Sequence, residues 1–245
     1  MTARPYTKHF IPLESNPEIF TQFIHALGVS PVLRFEDVLA LDEPSLLPHP
    51  ALALILTYPT PIDYEERRAA EEAAAQKEER SRDRQDVDVV WFKQTINNAC
   101  GFYAILHAIS NGEGRHFIRP NSVLANLLEG CQTLAPEECA ERLEASQEIE
   151  RIYSQAARMG ESEISENPED EVDFHFVCFV KDGSGREILE LDGDRMGPVR
   201  RGQLAASDED LLGETGRRIM KQYFKSEGDG GNVAFNLMAL IAVES

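Results

Sequence analysis

The chain has 245 residues, of which 42% are hydrophobic and 27% charged, a balance typical of a globular protein. Its formal net charge of −19 argues against a nucleic-acid partner, because binding to phosphates requires a basic surface. No apolar run approaches the roughly 20 residues of a membrane span, and the N-terminus lacks the apolar centre of a secretory signal, so we expect no membrane partner.

The first predicted helix has clear boundaries. Asn16 can cap it, Pro17 suits its first position, and Gly28 can end it. Two strands are predicted next, over residues 32–38 and 52–58. The second is largely apolar, which indicates a strand at the centre of a sheet.

The middle of the chain is predicted to be mainly helical. Residues 65–85 are dense in Glu, Arg and Ala, which predicts an exposed helix or a partly mobile segment. Residues 100–110 are apolar on nearly every side, so this helix should be buried at the centre. Further helices are predicted near 123–129 and 136–158, and residues 160–172 predict a long acidic loop.

The last third of the chain predicts a hairpin over 174–180 and 186–191, with its turn at 182–185. A helix over 208–225 and an apolar strand over 233–243 follow. Strands scattered among helices, without regular βαβ alternation, predict an α+β fold in which helices flank a mostly antiparallel central sheet.

The four cysteines are Cys100, Cys131, Cys139 and Cys178, and they form neither a Cys-x-x-Cys pair nor a typical disulfide framework. Cys131 and Cys139 also lack a histidine companion at metal-ligand spacing, so we expect no metal and no other cofactor. This use of cysteine predicts a reducing compartment, the cytoplasm or the nucleus.

One segment combines a candidate nucleophile with a candidate oxyanion donor. Cys100 opens the buried helix, where the positive end of the helix dipole favours a thiolate. Gln94 precedes it by six residues, and its side-chain amide can donate a hydrogen bond to a developing oxyanion. The alternatives are that Cys100 is a small apolar filler and that Gln94 merely caps the helix.

The hairpin supplies a candidate base. If it turns between residues 183 and 184, His175 lies directly opposite Asp192, and opposed side chains share a face of the sheet. Asp192 could then orient the imidazole that takes the proton of Cys100, as in cysteine hydrolases. His107 lies two helical turns beyond Cys100, too far to act as the base, and we expect it to be packed or hydrogen-bonded.

These residues belong to a wider pattern. The chain resembles the ubiquitin C-terminal hydrolases, a family of papain-like cysteine peptidases, and most of all the short members made of the catalytic domain alone. The segments that carry the resemblance are 12–18, 22–23, 27–28, 35–38, 93–101, 107–109, 172–176, 190–193 and 235–240.

The resemblance implies that Cys100 is the nucleophile, His175 the base, Asp192 its orienter and Gln94 the oxyanion donor. The activity it implies is that of a thiol protease of the ubiquitin conjugation pathway, a deubiquitinase that cleaves after the C-terminal glycine of ubiquitin.

The resemblance also has implications for the fold. It implies a knotted topology within a single catalytic domain, residues 1–245, in which residues 160–172 form an active-site crossover loop. Such a loop would restrict the leaving groups to small or unstructured ones.

Contacts to ubiquitin are implied for Pro12, Leu13, Glu14 and Asp37, and we expect a monomer. Two alternatives stay open. The substrate could be the ubiquitin-like protein NEDD8, instead of or in addition to ubiquitin. The chain could also be a non-catalytic protein that binds and stabilises ubiquitin.

Overall fold

The computed structural model describes residues 6–60, 66, 68–71, 73, 89–160, 173–206, 209–226 and 235–243. Within these ranges, no helix is both long and apolar enough to cross a membrane. The predicted segment 65–85 lies mostly outside them, although its described residues are helical. The predicted acidic loop lies outside them except for its first residue, Gly160.

The fold is organised by a sheet of six strands in the order β2-β8-β3-β5-β6-β7, and all neighbouring strands are antiparallel. Two short strands, β1 and β4, pair in parallel beside it. The strands are β1 Lys8–His9, β2 Leu33–Asp37, β3 Ala51–Pro59, β4 Ile96–Asn97, β5 Phe174–Lys181, β6 Glu187–Leu191, β7 Val199–Gln203 and β8 Asn236–Ala242. This arrangement confirms the predicted α+β class.

Helices cover both faces of the sheet. They are α1 Pro17–Leu27, α2 Cys100–Ser110, α3 Val123–Cys131, α4 Pro136–Glu144, α5 Gln147–Ala157 and α6 Glu214–Ser226. Short 3-10 helices lie at Pro44–Leu46 and Gly112–Phe117.

The boundaries of α1 confirm the prediction. The side chain of Asn16 accepts hydrogen bonds from the backbone N–H groups of Glu18 and Ile19, and Pro17 occupies the first position. Gly28 ends the helix with a φ of 102°, in the left-handed region. A Cβ on Gly28 would also lie 2.1 Å from the Cβ of Ser122, so both its conformation and its contacts require glycine.

Two predicted helices are shorter in the structure. The predicted helix 136–158 is divided into α4 and α5, because the Ser146 hydroxyl accepts the N–H of Ile149 and starts a new helix there. The predicted helix 208–225 begins only at Glu214, after a turn in which the N–H of Gly213 donates to the carbonyl of Asp210. The sequence pattern did not indicate β7, a half-buried edge strand.

The core forms two clusters, one on each face of the sheet, and β3 contributes to both. Ala53 and Ile55 pack in the cluster on the side of α2, whereas Leu54 and Leu56 pack in the cluster on the side of α6. A strand that is buried on both faces reads as an apolar run, which confirms the prediction for this segment.

The expectation about disulfides is wrong for one pair, because Cys131 and Cys139 are disulfide-bonded. Cys131 ends α3, and a short turn, closed by a hydrogen bond from Leu134 N–H to the Cys131 carbonyl, leads into α4. This reversal of the chain brings the two Cα atoms to 5.3 Å, a proximity that their spacing along the sequence did not reveal. Cys100 and Cys178 have free thiols.

Candidate active site

Cys100 is the first residue of α2, and its free thiol is half-buried. The helix is buried over the rest of its length, as predicted. Its N-cap residue is Ala99, no side chain caps it, and no acidic residue lies in its first turn. The positive end of the helix dipole therefore acts on the sulfur without a competing anion of the helix itself.

The hairpin of β5 and β6 has a different register from the one predicted. The structure pairs Cys178 with Leu191, so that His175 does not lie directly opposite Asp192. The reason is the turn, where the carboxylate of Asp182 accepts the backbone N–H groups of residues 186 and 187, each at 2.8 Å. The turn is centred one residue later than predicted, so the residue paired with each position of β5 lies two positions further along the chain. A shift of two preserves the face, so His175 and Asp192 still meet diagonally.

The side chains of His175 and Asp192 are buried against each other, with Nε2 and Oδ1 3.1 Å apart. The same Oδ1 accepts the backbone N–H of Asp194 at 2.9 Å. Burial alone would raise the pKa of Asp192, but the charge and hydrogen bond of His175, together with the Asp194 N–H and Arg195, lower it to about 2. The carboxylate is therefore ionised at neutral pH and fixes the orientation of the imidazole through Nε2.

The start of α2 packs against β5 beside this pair. A Cβ on Gly101 would lie 3.5 Å from the ring of Phe176, in ordinary contact. Gly101 follows Cys100, and Phe176 follows His175. The interface between helix and strand thus brings together the two elements that carry the thiol and the imidazole.

Gln94 is nearly buried and is held against the corner that follows Asp192. Its backbone N–H donates to the carbonyl of Gly193 at 2.8 Å. A Cβ on Gly193 would come within 2.8 Å of the Gln94 Cβ, so only glycine permits this approach. Because α2 has no side-chain cap, the alternative that Gln94 caps the helix is wrong. Its amide oxygen has no hydrogen-bond partner in the part of the chain that the structure describes.

Three polar side chains of α2 and its C-terminal cap, Tyr103, His107 and Asn111, hold the segment that contains Gln94. They are spaced four residues apart, which places them on one face of the helix. The Tyr103 hydroxyl accepts the N–H of Thr95 at 3.2 Å, and His107 Nε2 accepts that of Phe92 at 2.9 Å. The Asn111 side chain accepts the N–H of residue 90 at 2.6 Å and donates to its carbonyl at 2.9 Å.

His107 is therefore a packed, hydrogen-bonded histidine, as predicted. Burial lowers its pKa to about 4, so the ring is neutral at pH 7 and Nε2 can accept a hydrogen bond. Sequence analysis missed the roles of Tyr103 and Asn111. Their spacing of four residues from His107, along a largely apolar helix, is the signal that could have found them.

One cluster of described residues has the spacing of a metal site, with ligand atoms of His175, Asp192 and Asp194 within 4.8 Å of one another. Asp194, however, accepts a hydrogen bond from the Tyr6 hydroxyl at 3.1 Å and pairs with Arg68 at 3.2 Å. A cation and a hydroxyl donor already compensate this carboxylate, so the cluster fits an ion-pair network better than a metal site.

The four residues expected to contact ubiquitin are placed differently from one another. Pro12 and Leu13 are buried, and Leu13 is part of the core. Glu14 is half-buried and accepts a hydrogen bond from Asn16. Asp37 ends β2 and accepts a hydrogen bond from the amide of Asn236 at 3.1 Å. Their role in binding stays a prediction, and burial leaves Glu14 and Asp37 as the more accessible candidates.

Comparisons with known proteins agree with this geometry. A family model described as "Ubiquitin carboxyl-terminal hydrolase, family 1" matches residues 10–225. The chain is 34% identical to the ubiquitin carboxyl-terminal hydrolase isozyme L1 of Equus caballus, over 94% of this chain and 96% of the relative. It is 31% identical to a ubiquitin carboxyl-terminal hydrolase of Drosophila melanogaster, over 95% and 97% of the two chains.

A solved structure shows the same fold. The catalytic domain of Trichinella spiralis UCH37, crystallised with ubiquitin vinyl methyl ester, superposes with a TM-score of 0.71 and 25% sequence identity. The superposition covers 98% of each chain, so it includes the sheet, α2 and the hairpin.

Proposed function

The chain belongs to family 1 of the ubiquitin carboxyl-terminal hydrolases, which are cysteine-dependent enzymes, and on this premise we propose that it hydrolyses the bond after the C-terminal glycine of ubiquitin and releases small or unstructured leaving groups. The observation that carries the proposal is the buried contact between His175 and Asp192 beside the helix start at Cys100. A thiol, an oriented imidazole and an amide donor are the groups that acyl transfer requires.

The reaction begins with the transfer of a proton from the Cys100 thiol to His175. Since Nε2 faces Asp192, the other ring nitrogen, Nδ1, is the one that accepts this proton. The thiolate attacks the carbonyl carbon of the terminal glycine. The oxyanion that forms is stabilised by the Gln94 amide and the backbone N–H of Cys100, at the positive end of α2.

The remaining steps regenerate the thiol. His175 returns its proton to the leaving group as the bond to it breaks, which leaves ubiquitin attached to Cys100 as a thioester. Water then attacks the thioester with His175 as the base, and the departing thiolate regains a proton. Asp192 stays ionised throughout, because its role is to orient the imidazole and to stabilise its charged form.

Two observations support ubiquitin as the substrate. The solved relative holds ubiquitin vinyl methyl ester, a ubiquitin derivative that carries an electrophile. The net charge of −19 also favours a basic substrate tail, which long-range attraction can steer towards an acidic protein.

The proposal is tested with C-terminal amide reporters of ubiquitin and of NEDD8. We expect turnover of the ubiquitin reporter with the higher kcat/KM. We also expect faster cleavage of a short peptide than of a folded domain at the same position. Faster cleavage of NEDD8 would contradict the substrate, and equal cleavage of a folded leaving group would contradict the size limit. If neither reporter is turned over under reducing conditions, although ubiquitin binds, the chain is a ubiquitin-binding protein instead.

Replacing Gln94 with alanine tests the oxyanion donor. We expect kcat to fall by roughly 10²–10³, as for other single oxyanion donors. KM should change little, because the amide acts on charge that develops only in the transition state. The control is Gln132→Ala, at an exposed glutamine. A large rise in KM with kcat unchanged would show that Gln94 binds the ground state instead.

A further inference from the structure

Two buried carboxylates lie side by side behind His175. Glu190 and Asp192 are two residues apart at the end of β6, so their side chains share a face. Their exposed fractions are 0% and 1%. Two neighbouring buried anions are unfavourable without a cation, because burial removes the water that would stabilise either charge.

Arg195 supplies that cation and lies between the two carboxylates. Its Nε is 2.9 Å from Glu190 Oε1 and 3.7 Å from Asp192 Oδ2. The other oxygen of Asp192, Oδ1, already contacts His175 Nε2. Oδ2 accepts no hydrogen bond from the described residues, so Arg195 is the cation that compensates this side of the carboxylate.

The guanidinium of Arg195 is fixed by its surroundings. Its Nη2 is 3.1 Å from the carboxylate of Glu71, which also pairs with Arg201 at 3.3 Å. Arg201 in turn lies 2.6 Å from the second oxygen of Glu190, and the Tyr223 hydroxyl donates to the same oxygen. The arginine therefore has a defined position and does not sample many rotamers.

The charges of this network act on the thiolate and imidazolium that form when Cys100 transfers its proton to His175. Glu71, Glu190 and Asp192 carry three negative charges, against two positive charges on Arg195 and Arg201. The ionised Asp192 carboxylate favours a cationic His175, which is the form that proton transfer from the thiol creates. Burial opposes ionisation of Glu190, but the two arginines outweigh it and lower the pKa of this carboxyl.

The other groups that face Asp192 do not replace Arg195. His175 from β5 and the N–H of Asp194 act on Oδ1. His107 from α2 is neutral at pH 7, because burial lowers its pKa to about 4. The nearby Asp194 carboxylate is compensated by Arg68 and Tyr6.

We propose that Arg195 is a positioning residue, which bridges Glu190 and Asp192 and so holds the Asp192 carboxylate with Oδ1 turned towards His175. This proposal rests on the proposed function, because it concerns the same site. Arg195 does not touch the substrate, and it acts on the reaction only through Asp192 and His175.

The test compares Arg195→Met with Arg195→Lys and with the control Arg200→Met. Arg200 is on β7 and pairs with Glu187, away from the carboxylates. In Arg195→Met we expect kcat to fall by roughly 10–100-fold at nearly constant KM, the size of effect that misplacing a catalytic group produces. Arg195→Lys should restore part of the loss, and Arg200→Met should match the wild type.

A pH profile separates positioning from a merely structural role. Without the positive charge of the guanidinium, the ionisable groups around it hold their protons more readily, so the acid limb of kcat/KM should move to higher pH by about one unit. The pH dependence of the rate at which iodoacetamide alkylates Cys100 measures the same limb. This second measurement needs no ubiquitin. If the wild type is inactive on ubiquitin reporters, the proposed function is contradicted, but the alkylation rates still test the role of Arg195.

Stability is checked for each variant by thermal unfolding. If Arg195→Met does not fold, the double variant Glu190→Gln with Arg195→Met removes both charges of the buried pair and serves in its place. A folded variant with the wild-type kcat and an unchanged acid limb would overturn the proposal. A lower rate with an unshifted acid limb, in kinetics and in alkylation alike, would also overturn it.

Discussion

Replacing Cys100 with alanine should lower the hydrolysis of a ubiquitin amide reporter by at least about 10⁴-fold, because the covalent step loses its nucleophile. The fold should be retained, since the thiol is small and only half-buried at the start of α2. Thermal unfolding and steady-state kinetics on one preparation measure both quantities.

Cys178→Ala is the matched control for this variant. Cys178 is the other free thiol, and burial in β5 raises its pKa, so it is a poor nucleophile. The wild type and the Cys178 variant should each form one adduct with ubiquitin vinyl methyl ester, detected by intact mass, whereas Cys100→Ala should form none. Cleavage at the wild-type rate by Cys100→Ala would refute the assignment of the nucleophile.

Asp192→Asn is expected to lower kcat by roughly 10³-fold, somewhat less than the effect of the same change in a serine protease triad. Asparagine has nearly the same shape, but it carries no charge to stabilise the imidazolium of His175. KM should stay within a few-fold of the wild type, because Asp192 is 1% exposed and lies behind the imidazole.

The control for this prediction is Asp42→Asn, which removes an exposed ion pair with Lys221 on the opposite side of the sheet from α2. That variant should have wild-type kinetics. The buried change should also destabilise the protein, because it leaves Arg195 with one carboxylate fewer. An Asp192 variant with unchanged kcat over the full pH range would show that His175 needs no orienter.

Much of the site could be predicted because it rests on local chemistry. The cap of α1 at Asn16, the apolar run of α2 and the turn residues of the hairpin are each determined within a few residues of sequence. The pairing of His175 with Asp192 survived an error in register, because the error was an even number of residues and the pleat repeats every two.

What could not be predicted depends on contacts between distant segments. The disulfide of Cys131 and Cys139 required the reversal between α3 and α4, which neither cysteine encodes. Arg195 is one of several arginines in its region, and only the sheet brings it between Glu190 and Asp192. Nothing in the sequence around Gly193 reveals the close approach of Gln94, which requires glycine there.

The hydrogen bonds between α2 and the segment before it have a mechanical consequence. Through Tyr103, His107 and Asn111, the helix that carries the sulfur also holds the segment that carries the Gln94 amide. That segment is in turn attached to the corner at Asp192, through Gly193 and through the indole of Trp91, which donates to the Asp192 carbonyl at 3.0 Å.

Three of the four reacting groups thus stand on one scaffold, and the fourth is carried by the second residue of β5. When a substrate tail enters, the scaffold can remain stationary, because the Asp192 carboxylate that it carries already orients the His175 ring. This arrangement keeps the reorganisation energy of the reaction small.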